Sequence, residues 1–219
     1  NLQTSVSPDE EKVLYFAREK KGHEGVKGTV TEDFRGILVH DHEITFYRYG
    51  SAHQECLAHV ERYLKDSMEN ESSLTWNRRM RELLQRMIHY RKEHTGEASL
   101  DAQTVAGFET EYQEILDKAK EEYKRNEPSP YYREGYNLYR RMQEYKTEHL
   151  LFLHDMRVPT TNNTAERCLR DYKRKQTFAM TFRSLESIEE LCHSKGVLLE
   201  VRKNNPNIYT AVMEIFNRR

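Results

Sequence analysis

The run Gly36-Ile37-Leu38-Val39-His40-Asp41 decides how this chain is read. A short, continuous apolar run suits a strand buried on both faces, as in the middle of a parallel or mixed sheet. An acid at the carboxyl end of such a strand sits where open α/β sheets gather their ligands. Taken alone, Asp41 reads first as the exposed start of a turn.

Upstream, residues 1–6, Ser7-Pro8-Asp9-Glu10-Glu11 and Lys12-Val13-Leu14-Tyr15-Phe16-Ala17 read as strand, turn and strand. Gly22, Gly25 and Gly28 then predict a loop or a short, poor helix. Asn1-Leu2-Gln3-Thr4-Ser5-Val6 has no initiator Met and reads as a strand already under way, so a fragment of a longer chain is expected.

Downstream, His53-Gln54-Glu55-Cys56-Leu57-Ala58 reads as a further short strand, and a helix starts at His59 and fades near Glu69-Asn70-Glu71-Ser72-Ser73. The middle of the chain changes character. Leu74, Met80, Leu83, Leu84, Met87 and Ile88 recur at helical spacing, interleaved with Arg78, Arg79, Arg81, Arg86 and Arg91. The arginine row reads as a solvated face. A second helix is marked by Val105, Phe108, Tyr112, Ile115, Leu116 and Ala119, and ends before Pro128-Ser129-Pro130. A third carries Tyr132, Tyr136, Tyr139, Met142, Leu150 and Leu153, with the tyrosines as core. Short connections suit antiparallel packing in a bundle.

The carboxy-terminal part opens with Asn162-Asn163-Thr164-Ala165-Glu166-Arg167-Cys168-Leu169-Arg170, followed by Lys173-Arg174-Lys175. Asn163 and Glu166 have capping-box spacing, which by itself explains both. A helix from about Leu185 to Lys203 is expected to break or bend near Gly196. Asn204-Asn205-Pro206 then predicts the cap and first-turn proline of a last helix, with Ile208, Val212, Ile215 and Phe216 inward.

Composition narrows the classes. In 219 residues, 32% are charged and 37% hydrophobic, and the mean hydropathy is −0.95. No apolar run approaches the roughly 20 residues a membrane helix needs, and no signal segment opens the chain. The 3 cysteines, Cys56, Cys168 and Cys192, cannot all pair and lack zinc-type spacing, so a reduced, cytoplasmic setting is expected. A net charge of −1 lends nucleic-acid binding no support, which must come from local clusters instead.

Three stretches occur here in one order: Gly36-Ile37-Leu38-Val39-His40-Asp41-His42, His53-Gln54-Glu55-Cys56-Leu57-Ala58-His59 and Asn162-Asn163-Thr164-Ala165-Glu166-Arg167. In that order they resemble the bacterial transposases of the insertion sequence 66 family, and the resemblance covers most of the chain. It implies an α/β, ribonuclease H-like mixed sheet, interrupted by an all-α insertion and followed by carboxy-terminal helices. The core would begin over 1–73, the insertion fill 74–155, and the catalytic helix and terminal helices occupy 156–219.

The same resemblance implies an Asp-Asp-Glu triad holding Mg²⁺ or Mn²⁺, with Asp41 as its second acid and Glu166 as its third. Two or three carboxylates suffice for such ions, which prefer oxygen ligands and keep several waters. Cys56 and His59 would support the site, as would Asn162 and Asn163. Cys56 and His59 read equally well as a buried small residue and a first-turn histidine. Arg167, Arg170, Lys173, Arg174 and Lys175 would contact DNA phosphates; their alternative is a solvated helix face. The implied partners are element-end and target DNA at the nucleoid, with room for a homo-oligomer.

In that fold the first Asp lies on a strand before the hairpin formed here by residues 1–17. The turn acids Asp9, Glu10 and Glu11 are misplaced for it. Two of three catalytic acids are therefore expected, in a sheet lacking its first strand. The amino-terminal DNA-binding and zinc-type segments would be missing too. Two rivals stay open: a non-catalytic DNA- or protein-binding helical module from a decayed transposase, and a nuclease of the same fold.

Overall fold

The computed structural model describes residues 2–7, 9, 12–178, 184–205 and 207–217. In chain order the elements are β1 (Leu2–Val6), β2 (Val13–Ala17), α1 (Gly22–Val26), α2 (Val30–Asp33) and β3 (Ile37–His40). A 3₁₀ turn (Ile44–Arg48), β4 (Ala52–Glu55), α3 (Leu57–Asn70), α4 (Trp76–Glu93) and α5 (Ala102–Arg125) follow. The chain continues through α6 (Glu134–Glu144), α7 (Lys146–His154), α8 (Asn163–Phe178), α9 (Leu185–Asn204) and α10 (Ile208–Asn217). Two compact units result, Asn1–Phe34 with Asn163–Arg219, and Arg35–Asn162.

In the unit of residues 35–162, β3 and β4 pair in parallel, Ile37 opposite Ala52 and His40 opposite Glu55. The apolar residues of β3 are half-buried, and only His40 is buried. The expectation of a strand covered on both faces is therefore corrected. Gly50 turns the chain back into β4 with φ +74°, and a Cβ there would meet the Gly36 carbonyl oxygen at 2.8 Å. β4 ends at Glu55 rather than Ala58, and the helix expected from His59 starts at Leu57, whose amide bonds to the Thr160 carbonyl at 2.9 Å.

The core of this unit is helical. Met80, Leu83, Leu84 and Met87 of α4 meet Tyr112, Ile115, Leu116 and Ala119 of α5, all essentially inaccessible. Burying each large aliphatic side chain stabilises the fold by about 1.5–3 kcal/mol. The Thr75 side chain, at the cap position of α4, makes no cap bond to its amides. Instead the Glu122 carboxylate of α5 accepts the Thr75 and Trp76 amides at 2.9 and 3.1 Å, satisfying orphan donors at the positive end of the helix dipole. Asp101 caps α5 through the Thr104 amide at 2.7 Å. Of the arginine row, Arg78, Arg79 and Arg86 are exposed, as a solvated face requires, while Arg91 donates to the Phe152 and Met156 carbonyls.

The expected third helix is two helices. Tyr145, at φ −109° and ψ 36°, separates α6 from α7. The bend has a tertiary cause, because α7 packs along β4 and delivers His149 and Phe152 to Gln54 and Glu55.

In the other unit, β1 and β2 form an antiparallel hairpin with Leu2 opposite Ala17 and Val6 opposite Val13. Ser7 closes the turn, its amide donating to the Lys12 carbonyl and its hydroxyl accepting the Lys12 amide, both at 2.9 Å. Pro8, Glu10 and Glu11 lie outside the described residues. Tyr15, Ala17 and Cys192 form a small core against which Cys168 of α8 and Leu191 of α9 pack. α9 runs through Gly196 without the break that was one of the two outcomes expected there. The cap of α10 is Asn207, whose Oδ1 accepts the Tyr209 and Thr210 amides at 3.0 and 3.3 Å. Asn204 and Asn205 instead bond back to the Glu200 and Val201 carbonyls at the end of α9. Pro206 and the side chains of Ile215 and Phe216 lie outside the described residues.

Candidate active site

Asp41 emerges directly from β3. His40 before it is buried, and the Glu43 amide donates to the Asp41 carbonyl at 2.7 Å, turning the chain away from the sheet. Asp41 itself is exposed. Beside it, Cys56 extends the parallel ladder by one bond, its amide donating to the His40 carbonyl at 2.8 Å. The Cys56 side chain is 1% exposed, and its Sγ accepts the Asn162 amide at 3.5 Å. The carboxyl ends of both strands, the start of α3 and residues 160–162 therefore converge. His59, on the first turn of α3, is half-buried with its ring 6.4 Å from that of Tyr63.

Below this surface lies a cluster that sequence reasoning missed. Glu55, the last residue of β4, is 1% exposed. Its Oε1 is 2.6 Å from His42 Nδ1 and also accepts the Tyr47 hydroxyl. Its Oε2 lies 3.2 Å from His149 Nε2 and 3.5 Å from Arg141 Nε. Burial alone would push this carboxyl up, but the His149 and His42 imidazoles and the Arg141 guanidinium outweigh it and hold the group well below the usual carboxylate range. The Tyr47 phenol is pushed up by burial and by its bond to Glu55.

His149 is fully buried, and its Nδ1 is 3.1 Å from the Tyr112 hydroxyl, which donates to the Met142 carbonyl at 3.1 Å. The Arg141 guanidinium sits over the Tyr63 ring at 4.9 Å. Burial also pushes His40 and His53 below the usual histidine range, with His40 adding to the effect on His53; their rings meet at 3.2 Å between Nε2 and Nδ1. The sequence held one clue to this cluster, an acid inside a short predicted strand. Its partners at 141 and 149 bear no spacing relation to it.

Glu166 belongs to the other unit, on the first turn of α8, and is half-buried. Asn163 is the first helical residue and Asn162 precedes it. Arg167, Arg170 and Arg174 are exposed, and their spacing of three and four residues places them along one side of the helix. The side chains of Lys173 and Lys175 lie outside the described residues. Asp41, Cys56, His59 and Asn162 thus share one unit, while Asn163, Glu166 and the basic residues share the other. Among the described residues, no helix is long and apolar enough to cross a membrane.

A family model described as "Transposase IS66 family" matches residues 2–190. No curated protein and no solved structure matches the chain.

Proposed function

The chain belongs to the IS66 transposase family, and from that premise we propose that it acts in cleaving and joining DNA at insertion-element ends by metal-dependent phosphoryl transfer. Asp41 and Glu166 are the two carboxylates of this chain assigned to the metal. The observation that carries the reading is Asp41, an exposed carboxylate at the carboxyl end of a parallel strand pair. The ribonuclease H-like organisation is part of the same proposal, supported by the order hairpin, parallel strand pair and helix.

The donor chemistry fits Mg²⁺ or Mn²⁺, which take oxygen ligands and tolerate an open, hydrated site. Exposed Asp41 can offer both its oxygens. Glu55 cannot, because its oxygens are buried and already engaged by His42, Tyr47, Arg141 and His149. When bound, the metal supplies Lewis acidity at the scissile phosphate. The protein's part is to hold the carboxylates and the DNA. Arg167, Arg170 and Arg174 carry the backbone contacts, which fix register without reading sequence. Cys56 and Asn162 tie the segment leading into α8 to the strand ends, a supporting role.

The test is nicking of end-sequence DNA in Mn²⁺, together with a thermal melt with and without millimolar Mn²⁺. A metal bound only by the folded chain raises its stability. Nicking lost in both Asp41→Ala and Glu166→Gln supports the reading. No Mn²⁺ stabilisation and unchanged DNA behaviour in Glu166→Gln would leave a non-catalytic binding module.

A further inference from the structure

We infer that Glu55 is a positioning residue for Asp41, and that it places the Asp41 loop under the control of the helices α6 and α7. This rests on the proposed role of Asp41 and goes beyond it.

The two oxygens of Glu55 face different parts of the unit. Oε1 takes His42, the residue after Asp41, and Tyr47, from the 3₁₀ turn that completes the same loop. Oε2 faces Arg141 of α6 and His149 of α7. One buried carboxylate therefore joins the loop that presents Asp41 to the helical segment between the two halves of the catalytic motif. The rings of Tyr47, tilted, and His42, edge-on, also meet Tyr145, the residue at the bend between α6 and α7, with centroids 4.6 and 5.3 Å apart.

A buried carboxylate with this many charged and polar partners is poor value as a stabiliser, since a matched apolar cluster often serves as well. It does specify geometry, because removing any one partner leaves the others in a low-dielectric site with an unmatched group. Within the loop, the Glu43 amide donates to the Asp41 carbonyl and the Thr45 hydroxyl donates to the Glu43 carboxylate at 2.8 Å. The rings of Phe46 and Tyr47 rest against His40 and His53 of the strands, and the bonds from His42 and Tyr47 to Glu55 add the link from the loop to α6 and α7. A displacement of a metal ligand by about 1 Å is enough to lower a rate roughly a hundredfold.

The experiment uses the whole chain and two readouts. The first is hydrogen exchange of the backbone amides from 41 to 49, which needs no metal. The second is the Mn²⁺ concentration for half-maximal DNA nicking. His42→Ala and Tyr47→Phe remove the loop-side partners. His42→Asn keeps a donor at the δ position. Arg141→Met keeps the packing volume on the helical side and removes the charge.

The expected result is exchange over 41–49 faster by about tenfold in His42→Ala and Arg141→Met, with a raised Mn²⁺ requirement and helical amides of α4 and α5 unchanged. His42→Asn restores both readouts. If Arg141→Met unfolds the chain, Tyr47→Phe and the His42 pair still decide the loop. Wild-type exchange and wild-type Mn²⁺ requirement in these variants, with Asp41→Ala inactive, overturn the inference and leave the reading of Asp41 standing. Asp41→Ala with unchanged Mn²⁺ dependence overturns the reading of Asp41, whatever the exchange data show for the loop.

Discussion

Gln54 Oε1 accepts the backbone amide of Phe152 at 2.8 Å, a bond between residues 98 positions apart. The Gln54 Nε2 donates in turn to the Glu55 carbonyl at 2.8 Å and the His149 carbonyl at 3.3 Å. Gln54 is fully buried, so none of these groups has water as an alternative. Gln54→Leu is therefore expected to destabilise the chain by about 3 kcal/mol, from the buried amide and carbonyls left unpaired. Urea unfolding at constant m-value measures it.

Gly135 permits the close approach of α6 to the end of α3. A Cβ at this position would lie 1.7 Å from Glu71 Oε2 and 2.8 Å from Ser67 Oγ. Gly135→Ala should cost about 1–3 kcal/mol as overpacking. The cost should shrink in a Glu71→Ala background, since the clashing carboxylate is then gone. A double-mutant cycle reads the coupling, and an equal cost in both backgrounds would contradict the contact.

Acid should weaken the fold through Glu55. Its carboxyl is held below the unfolded value of 4.5. Above that pH the group is ionised in both states and its contribution is complete. As pH falls below 4.5, the unfolded chain takes up a proton that the folded chain refuses, so stability drops toward the depressed folded pKa. Carbon-13 NMR of the Glu55 carboxyl in the folded protein should show it still ionised at about pH 3.5. Titration there at the ordinary value would contradict the buried cluster.

Asp41→Asn and Glu166→Gln should each lower Mn²⁺-dependent nicking at least about a hundredfold, or about 2.7 kcal/mol of transition-state stabilisation. Asp41→Asn should change the melting temperature little in the absence of metal, because Asp41 is exposed. A large loss of metal-free stability would instead mark a structural carboxylate.

Arg167→Ala and Arg170→Ala should weaken DNA binding uniformly across sequences, each reducing the log-salt slope by about 1. A change in sequence preference without a change in slope would point to base contacts.

Much of the fold was legible in short windows. The hairpin of residues 2–17 and the helices α4 and α5 follow from turn chemistry and from apolar spacing at three and four residues. Where local signals failed, a distant partner had intervened. The periodicity from Tyr132 to Leu153 is continuous, yet the chain bends at Tyr145 because β4 draws α7 onto Gln54 and Glu55. Asn205 has the composition of a helix start, yet its side chain finishes the preceding helix and Asn207 begins the next. Gly196 carried a break signal, but one glycine costs only about 1 kcal/mol in a helix of this length.

By itself, the sequence determined the family and most of the secondary elements, and Asp41, Cys56 and Glu166 lie in the stretches that carry the resemblance. Such information is local, written in spacings of a few residues. Only the tertiary structure decided that Glu55 is a buried anion and which groups answer it. A carboxylate loses its hydration on burial, and His42, Tyr47, Arg141 and His149, brought from separate segments, supply what water would have supplied.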